Sequence, residues 1–140
     1  MNIAFFLIPK EDVVTLNVNS NMRQALERME YHRYTAVPVI DDKGRYVGTL
    51  AEGDLLWKLK NTPELTFAKT SHVKITEINW RMTNAQVKID AEIEDLLTLA
   101  SAQNFVPVLD DNGIFIGIIR RSDIINYYAK EILNKMECSI

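Results

Sequence analysis

The sequence predicts a mixed α/β (α+β) fold, two β-α-β-β-α repeats packed sheet to sheet about a pseudo-twofold axis. Three observations carry that prediction. Residues 36–50 read as a β-hairpin, two apolar runs around the polar corner Asp41-Asp42-Lys43-Gly44. Aspartate and glycine take up turn geometry at little cost, so the corner has a mechanism. The chain writes this stretch twice, since residues 105–119 align with it without a gap, 69 positions on (105 − 36 = 69). Each copy is also preceded by a strand-like and a helix-like segment and followed by an acid-led helix start. A three-stranded sheet flanked by helices on one side cannot bury both faces alone, so the copies are expected to share a core.

The elements follow in order. Ile3-Ala4-Phe5-Phe6-Leu7-Ile8 is a short apolar run, expected as a first buried or dimer-facing segment and broken by Pro9. Thr15-Leu16-Asn17-Val18 alternates like a strand. Asn21 with Gln24 three residues later makes a helix cap, and Met22, Ala25, Leu26 and Met29 recur at helical spacing, which predicts a helix over 22–32. The hairpin comes next, then a helix led by Asp54 that runs to about Lys60 and stops before Pro63. In the second copy Val87-Lys88-Ile89 matches the strand, Ile93, Leu96, Leu97 and Ala100 match the helix, and Ser122-Asp123-Ile124-Ile125 opens the last helix. That helix carries Ile124, Ile125, Tyr128, Ala129, Ile132, Leu133 and Met136 at helical spacing, and its far end is expected to reach the N-terminal run. The expected division is repeat one at 9–60, a linker at 61–86 with short packed segments, and repeat two at 87–137.

Composition narrows the function. Sixteen Lys+Arg against nineteen Asp+Glu give a net charge of −3, which offers no general attraction to nucleic acid or an anionic membrane. The apolar start is too short to span a bilayer, and Met1-Asn2 lacks the charge of a signal peptide, so a cytoplasmic protein is expected. One cysteine, Cys138, allows no internal disulfide, and the two histidines, His32 and His72, have no ligand-spaced partners for a metal. No phosphate loop, nucleophile elbow or dinucleotide fingerprint is present, and no catalytic residues are expected.

The repeated pattern carries a family resemblance. Val37-Pro38-Val39-Ile40-Asp41 and Val106-Pro107-Val108-Leu109-Asp110 are each followed by a glycine corner and then by Gly48 to Asp54 or Gly117 to Asp123. In register, these resemble a tandem pair of CBS domains, of the stand-alone prokaryotic type. The resemblance implies an intramolecular sandwich with two clefts between the repeats and a further association into a homodimer. It also implies a regulatory role, sensing an adenine-containing ligand and passing occupancy to a partner protein, with no enzymatic activity and no cofactor beyond that nucleotide. The ligands it implies are AMP, ADP, ATP, S-adenosylmethionine and cyclic di-AMP.

The family's binding motif runs Gly, two apolar residues, Ser or Thr, two more residues, then Asp. Its aspartate accepts hydrogen bonds from the ribose hydroxyls. A carboxylate at a helix start suits that task, since it can take a cis-diol bidentately and the helix N–H groups favour an anion. Asp54 and Asp123 match the aspartate. Where the motif has its hydroxyl the chain has Ala51, which removes a phosphate ligand, and Arg120, whose planar fork can reach a phosphate with Arg121 beside it. By position the base is expected against Thr35, Ala36, Val37 and Pro38 in one copy and Asn104, Phe105, Val106 and Pro107 in the other. Val18 and Ile89 belong to the opposite walls. The rival expectation is a ligand-free dimerisation or protein-interaction scaffold, favoured by the loss of both motif hydroxyls.

Overall fold

The computed structural model describes residues 2–138. Its elements are β1 (Ile8–Pro9), β2 (Leu16–Asn17), α1 (Met22–His32), β3 (Ala36–Ile40), β4 (Tyr46–Ala51), α2 (Glu52–Lys60), β5 (Val87–Lys88), α3 (Glu94–Ala100), β6 (Phe105–Leu109), β7 (Phe115–Arg120) and α4 (Arg121–Cys138). The β-α-β-β-α order therefore occurs twice, as the repeat predicts. Two compact units result, Val14–Thr83 and a second made of the residues up to Val13 with those from Asn84 onward. Among the described residues no helix is long and apolar enough to cross a membrane.

In the first unit β2 runs parallel to β3 and β3 antiparallel to β4. The parallel pair needs a crossover, and α1 supplies it. Asn21 caps that helix as expected: its side chain accepts from the Gln24 amide at 2.8 Å while the Gln24 side chain accepts from the Asn21 amide at 2.9 Å. Met22, Ala25 and Met29 bury one stripe of α1 against Val37, Val39 and Leu50 of the sheet and Leu55 of α2. Ile75 and Ile78, from the connector after α2, complete this core.

The hairpin corner is built by Asp41. Its carboxylate accepts from the amides of Lys43 and Arg45, each at 2.9 Å, while Gly44 takes φ 82°. Asp110 does the same in the second copy with the amides of Asn112 at 2.8 Å and Ile114 at 2.9 Å, and Gly113 takes φ 80°. Both hairpins carry the same irregularity, Val39 opposite Gly48 but Ile40 opposite Tyr46, and Val108 opposite Gly117 but Leu109 opposite Phe115. One extra residue per turn-side strand, Val47 or Ile116, gives a β-bulge in each.

The second unit adds a strand the repeat alone does not contain. Ile8 and Pro9 pair antiparallel with Ile118 and Gly117, giving the order β1-β7-β6-β5. Ile3 is fully buried beside Ile93, Leu96, Val106, Val108, Ile119 and Ile124. Residues 9–13, read from the sequence as the opening of repeat one, thus lie with the sheet of repeat two. The apolar segment needs a sheet edge to satisfy its backbone, and β7 provides one. The far end of α4 does not cover the N-terminal run; the contact is made nearer its start, where Tyr127 meets Phe6 edge-on at 5.5 Å. Of α4 only Ile124 is buried, and Ile125, Ile132, Leu133 and Met136 face outward.

Candidate functional site

In the first unit the chain leaves β4 at Ala51 and enters α2 directly. Ala51 has no side-chain oxygen to cap the helix, so Asp54, three residues in, reaches back and accepts the Ala51 amide on Oδ2 at 2.9 Å. A carboxylate in a first helical turn is also favoured by the helix dipole. Its other oxygen, Oδ1, accepts the amide of Arg81 at 3.3 Å, and the residue is buried.

Arg81 arrives there because the connector folds onto the open edge of β4. Met82 bridges Thr49, whose amide donates to the Met82 carbonyl at 3.1 Å. Trp80 stacks over Gly48 and fixes itself through Nε1 on the Ile75 carbonyl at 2.9 Å. Thr49 itself is fully buried, and its hydroxyl shares a 2.6 Å hydrogen bond with that of Tyr46. It is a packing residue.

Asp54 lines a cleft of about 290 Å³ with Trp57, Lys58, Asn61, Glu77 and Arg81 among its neighbours. The Trp57 ring lies 5.9 Å from the Arg81 guanidinium and 5.4 Å from the Lys60 ammonium, within cation–π reach of both. The cleft therefore offers a carboxylate acceptor, a half-exposed aromatic face and cationic groups, a combination suited to a ligand with hydroxyls, a flat ring and negative charge. Trp57 and Arg81 were not among the residues expected from sequence. Trp57 had a usable signal, since it lies three positions after Asp54 on the same helix face. Arg81 had none, because its contact to Asp54 is made by the backbone.

The other sequence-derived residues fall elsewhere. Thr35, Ala36, Val37, Pro38 and Val18 do not line this cleft. The Thr35 carbonyl accepts the Glu52 amide at 2.8 Å, Val37 is core, Pro38 is buried, and Val18 donates its amide to Ile40 at 2.9 Å while packing on the same core.

In the second unit Asp123 and Arg120 are brought together. The guanidinium grips the carboxylate with both arms, Nε to Oδ2 at 3.0 Å and Nη2 to Oδ1 at 3.2 Å. Arg121 points away from that pair and donates through Nε to the Gln103 carbonyl at 2.7 Å. Phe105 is buried, and its carbonyl accepts from Asn84 and from Gln103, each at 3.1 Å. The Gln103 side chain also pairs with both backbone groups of Ala85, at 2.8 and 3.1 Å, as a strand would. Val106 belongs to the core with Ile89 packed against it, Pro107 is buried, and Asn104 is exposed with its carbonyl accepting the Arg121 amide at 2.9 Å. Among the described residues no group of His, Cys, Asp and Glu is arranged to hold a metal ion.

The family model of the CBS domain matches the chain twice, over residues 7–61 and 75–130. The chain belongs to the CBS domain family. It is 25% identical to the CBS domain-containing protein CBSX1 of Arabidopsis thaliana, with 88% of this chain and 62% of that protein covered. It thus spans less than two thirds of the length of that relative. It is 26% identical to cyclic di-AMP receptor B of Bacillus subtilis, over 95% of this chain and 91% of the receptor. The crystal structure of CbpB in complex with c-di-AMP superposes with a TM-score of 0.80 at 23% identity, covering all of this chain and 91% of that one. At that identity the likeness speaks for the fold.

Proposed function

We propose that this CBS-domain protein is a non-catalytic regulatory module that binds an adenine-containing nucleotide and passes its occupancy to a partner protein. The observation that carries the reading is the Asp54 cleft, where one carboxylate at a helix start stands beside an aromatic ring and cationic side chains. In this reading Asp54 accepts the ribose hydroxyls, Trp57 lies against the base or sugar, and Arg81 with Lys58 faces the phosphate. The strand residues expected from sequence as walls for the base, Ala36, Val37 and Pro38 with Val18, lie outside this cleft, so Trp57 is the proposed contact for the base. The likeness to cyclic di-AMP receptor B favours the adenine dinucleotide within this class, with AMP as the minimal ligand. Self-association as a homodimer is part of the proposal, supported by Leu56 on α2 and Ile125, Ile132 and Leu133 on α4, all more than half exposed.

The test is a thermal-shift panel of AMP, ADP, ATP, S-adenosylmethionine and cyclic di-AMP on the wild type, Asp54→Asn and Trp57→Ala. Stabilisation by at least one nucleotide, lost in both variants, is the expected result. The second reading, a ligand-free scaffold, has an observation of its own: both oxygens of Asp54 and of Asp123 already accept protein hydrogen bonds. A panel with no shift for any nucleotide, together with a dimer in solution, decides for the scaffold.

A further inference from the structure

The two helix-start carboxylates are equivalent by repeat, since 123 − 54 = 69, yet they are held in different ways. Asp54 accepts two backbone amides and keeps no side-chain cation on its oxygens among the hydrogen bonds described above. Asp123 is engaged end to end by a guanidinium from three residues earlier in its own chain, with each arm on a different oxygen. The residue that makes this difference stands where the first copy has Ala51.

We propose that Arg120 is an internal competitor for the second carboxylate, so that the two repeats bind nucleotide unequally and Asp54 provides the stronger site. The inference rests on the nucleotide-binding reading above. A ribose presents two neutral hydroxyl donors, whereas Arg120 presents two charged N–H donors already in a planar fork that matches the carboxylate. A ligand reaching Asp123 must first displace that fork. Because the pair is partly solvated, with Arg120 58% and Asp123 26% exposed, the displacement weakens binding without forbidding it, by about three- to fivefold. Arg120 is thereby a residue that sets which repeat fills first.

Calorimetric titration of the full chain with AMP, which carries a single ribose and a single phosphate, tests this directly. The wild type is expected to show one site per chain and a second about three- to fivefold weaker, the stronger lost in Asp54→Asn. Arg120→Thr is expected to bring the second site to near equality with the first, and adding Asp123→Asn to remove that gain. Arg120→Lys, which keeps the charge without the fork, is expected to fall between wild type and Arg120→Thr. Two equal sites in the wild type, or no change in Arg120→Thr, overturns the competitor while leaving the binding reading intact. Absence of AMP and cyclic di-AMP binding in every variant overturns both.

Discussion

The carbonyl oxygen of Ile8 lies against the α-carbon of Gly117 so closely that a Cβ there would overlap it. The motif glycine of the second copy is therefore a packing glycine, required for β1 to reach β7. Its counterpart Gly48 serves the incoming connector in the same way, but what a Cβ meets there is the Trp80 ring, at 2.9 Å. A backbone carbonyl fixed in a strand pair cannot retreat, whereas a ring edge can tilt by a few tenths of an ångström. Gly117→Ala is expected to cost about 1–3 kcal/mol and Gly48→Ala about 1 kcal/mol, read as shifts in the urea midpoint. Equal costs in the two variants would contradict this assignment.

Much of this fold was legible because the signals that make it are local. The hairpin corners are set by Asp41 and Gly44 and by Asp110 and Gly113 acting on neighbours within four residues, and the Asn21 cap acts over three. The placement of β1 was not legible. Its two residues have no period, and their partner strand lies 110 positions away (118 − 8 = 110). Half of the candidate site shares that fate. Asp54 announces itself as an acid at a helix start, while Arg81 enters through a main-chain amide that any residue could supply. Arg120 was legible as a cation near the site, but its engagement with Asp123 follows from a spacing of three that a motif alignment reads only as a missing hydroxyl.

The end of α1 was also hidden. Arg33 holds φ 59° and ψ 35°, the left-handed position that closes the helix, and the Tyr34 amide reaches back to the Met29 carbonyl at 3.0 Å. That is a Schellman closure, which glycine normally makes because a Cβ is strained there. Arg33→Gly is expected to stabilise the protein by about 0.5–1 kcal/mol, net of the greater freedom glycine has when unfolded. Thermal unfolding with and without the substitution checks this, and a lower midpoint in the variant would refute it.

Acid should loosen the first hairpin. The Arg45 amide, pointing into the Asp41 carboxylate, holds that group below the ordinary 3.8, aided by the Lys43 amide and the Arg45 guanidinium. A carboxyl with a depressed value in the folded state binds its proton more readily when unfolded. Its contribution is therefore fully present above pH 3.8 and is lost as pH falls through the lower folded value. Asp41→Ala is expected to lower the unfolding midpoint at pH 7 and to converge on the wild type as pH drops below that range. A difference between the two that stays constant down to pH 2 would show that the charge of Asp41 has no part in holding the turn.

The two helix-start aspartates should separate in stability as well as in binding. Asp54 is buried, and both of its oxygens accept backbone N–H groups of the chain that folds around it. Asparagine keeps one acceptor oxygen and turns an NH₂ toward the other amide, so Asp54→Asn leaves a donor facing a donor in a dry position. The expected cost is about 1–3 kcal/mol. Asp123 instead faces a guanidinium that water can solvate when the pair breaks, so Asp123→Asn is expected to cost no more than about 1 kcal/mol. Raised salt should reduce that small cost and leave the Asp54→Asn deficit unchanged, because screening acts on the exposed pair and not on buried backbone hydrogen bonds. Chemical denaturation of both variants in urea at low and high sodium chloride measures the contrast. Equal losses at the two positions would mean that the fork of Arg120 holds Asp123 as firmly as the backbone holds Asp54, and the difference between the repeats would vanish.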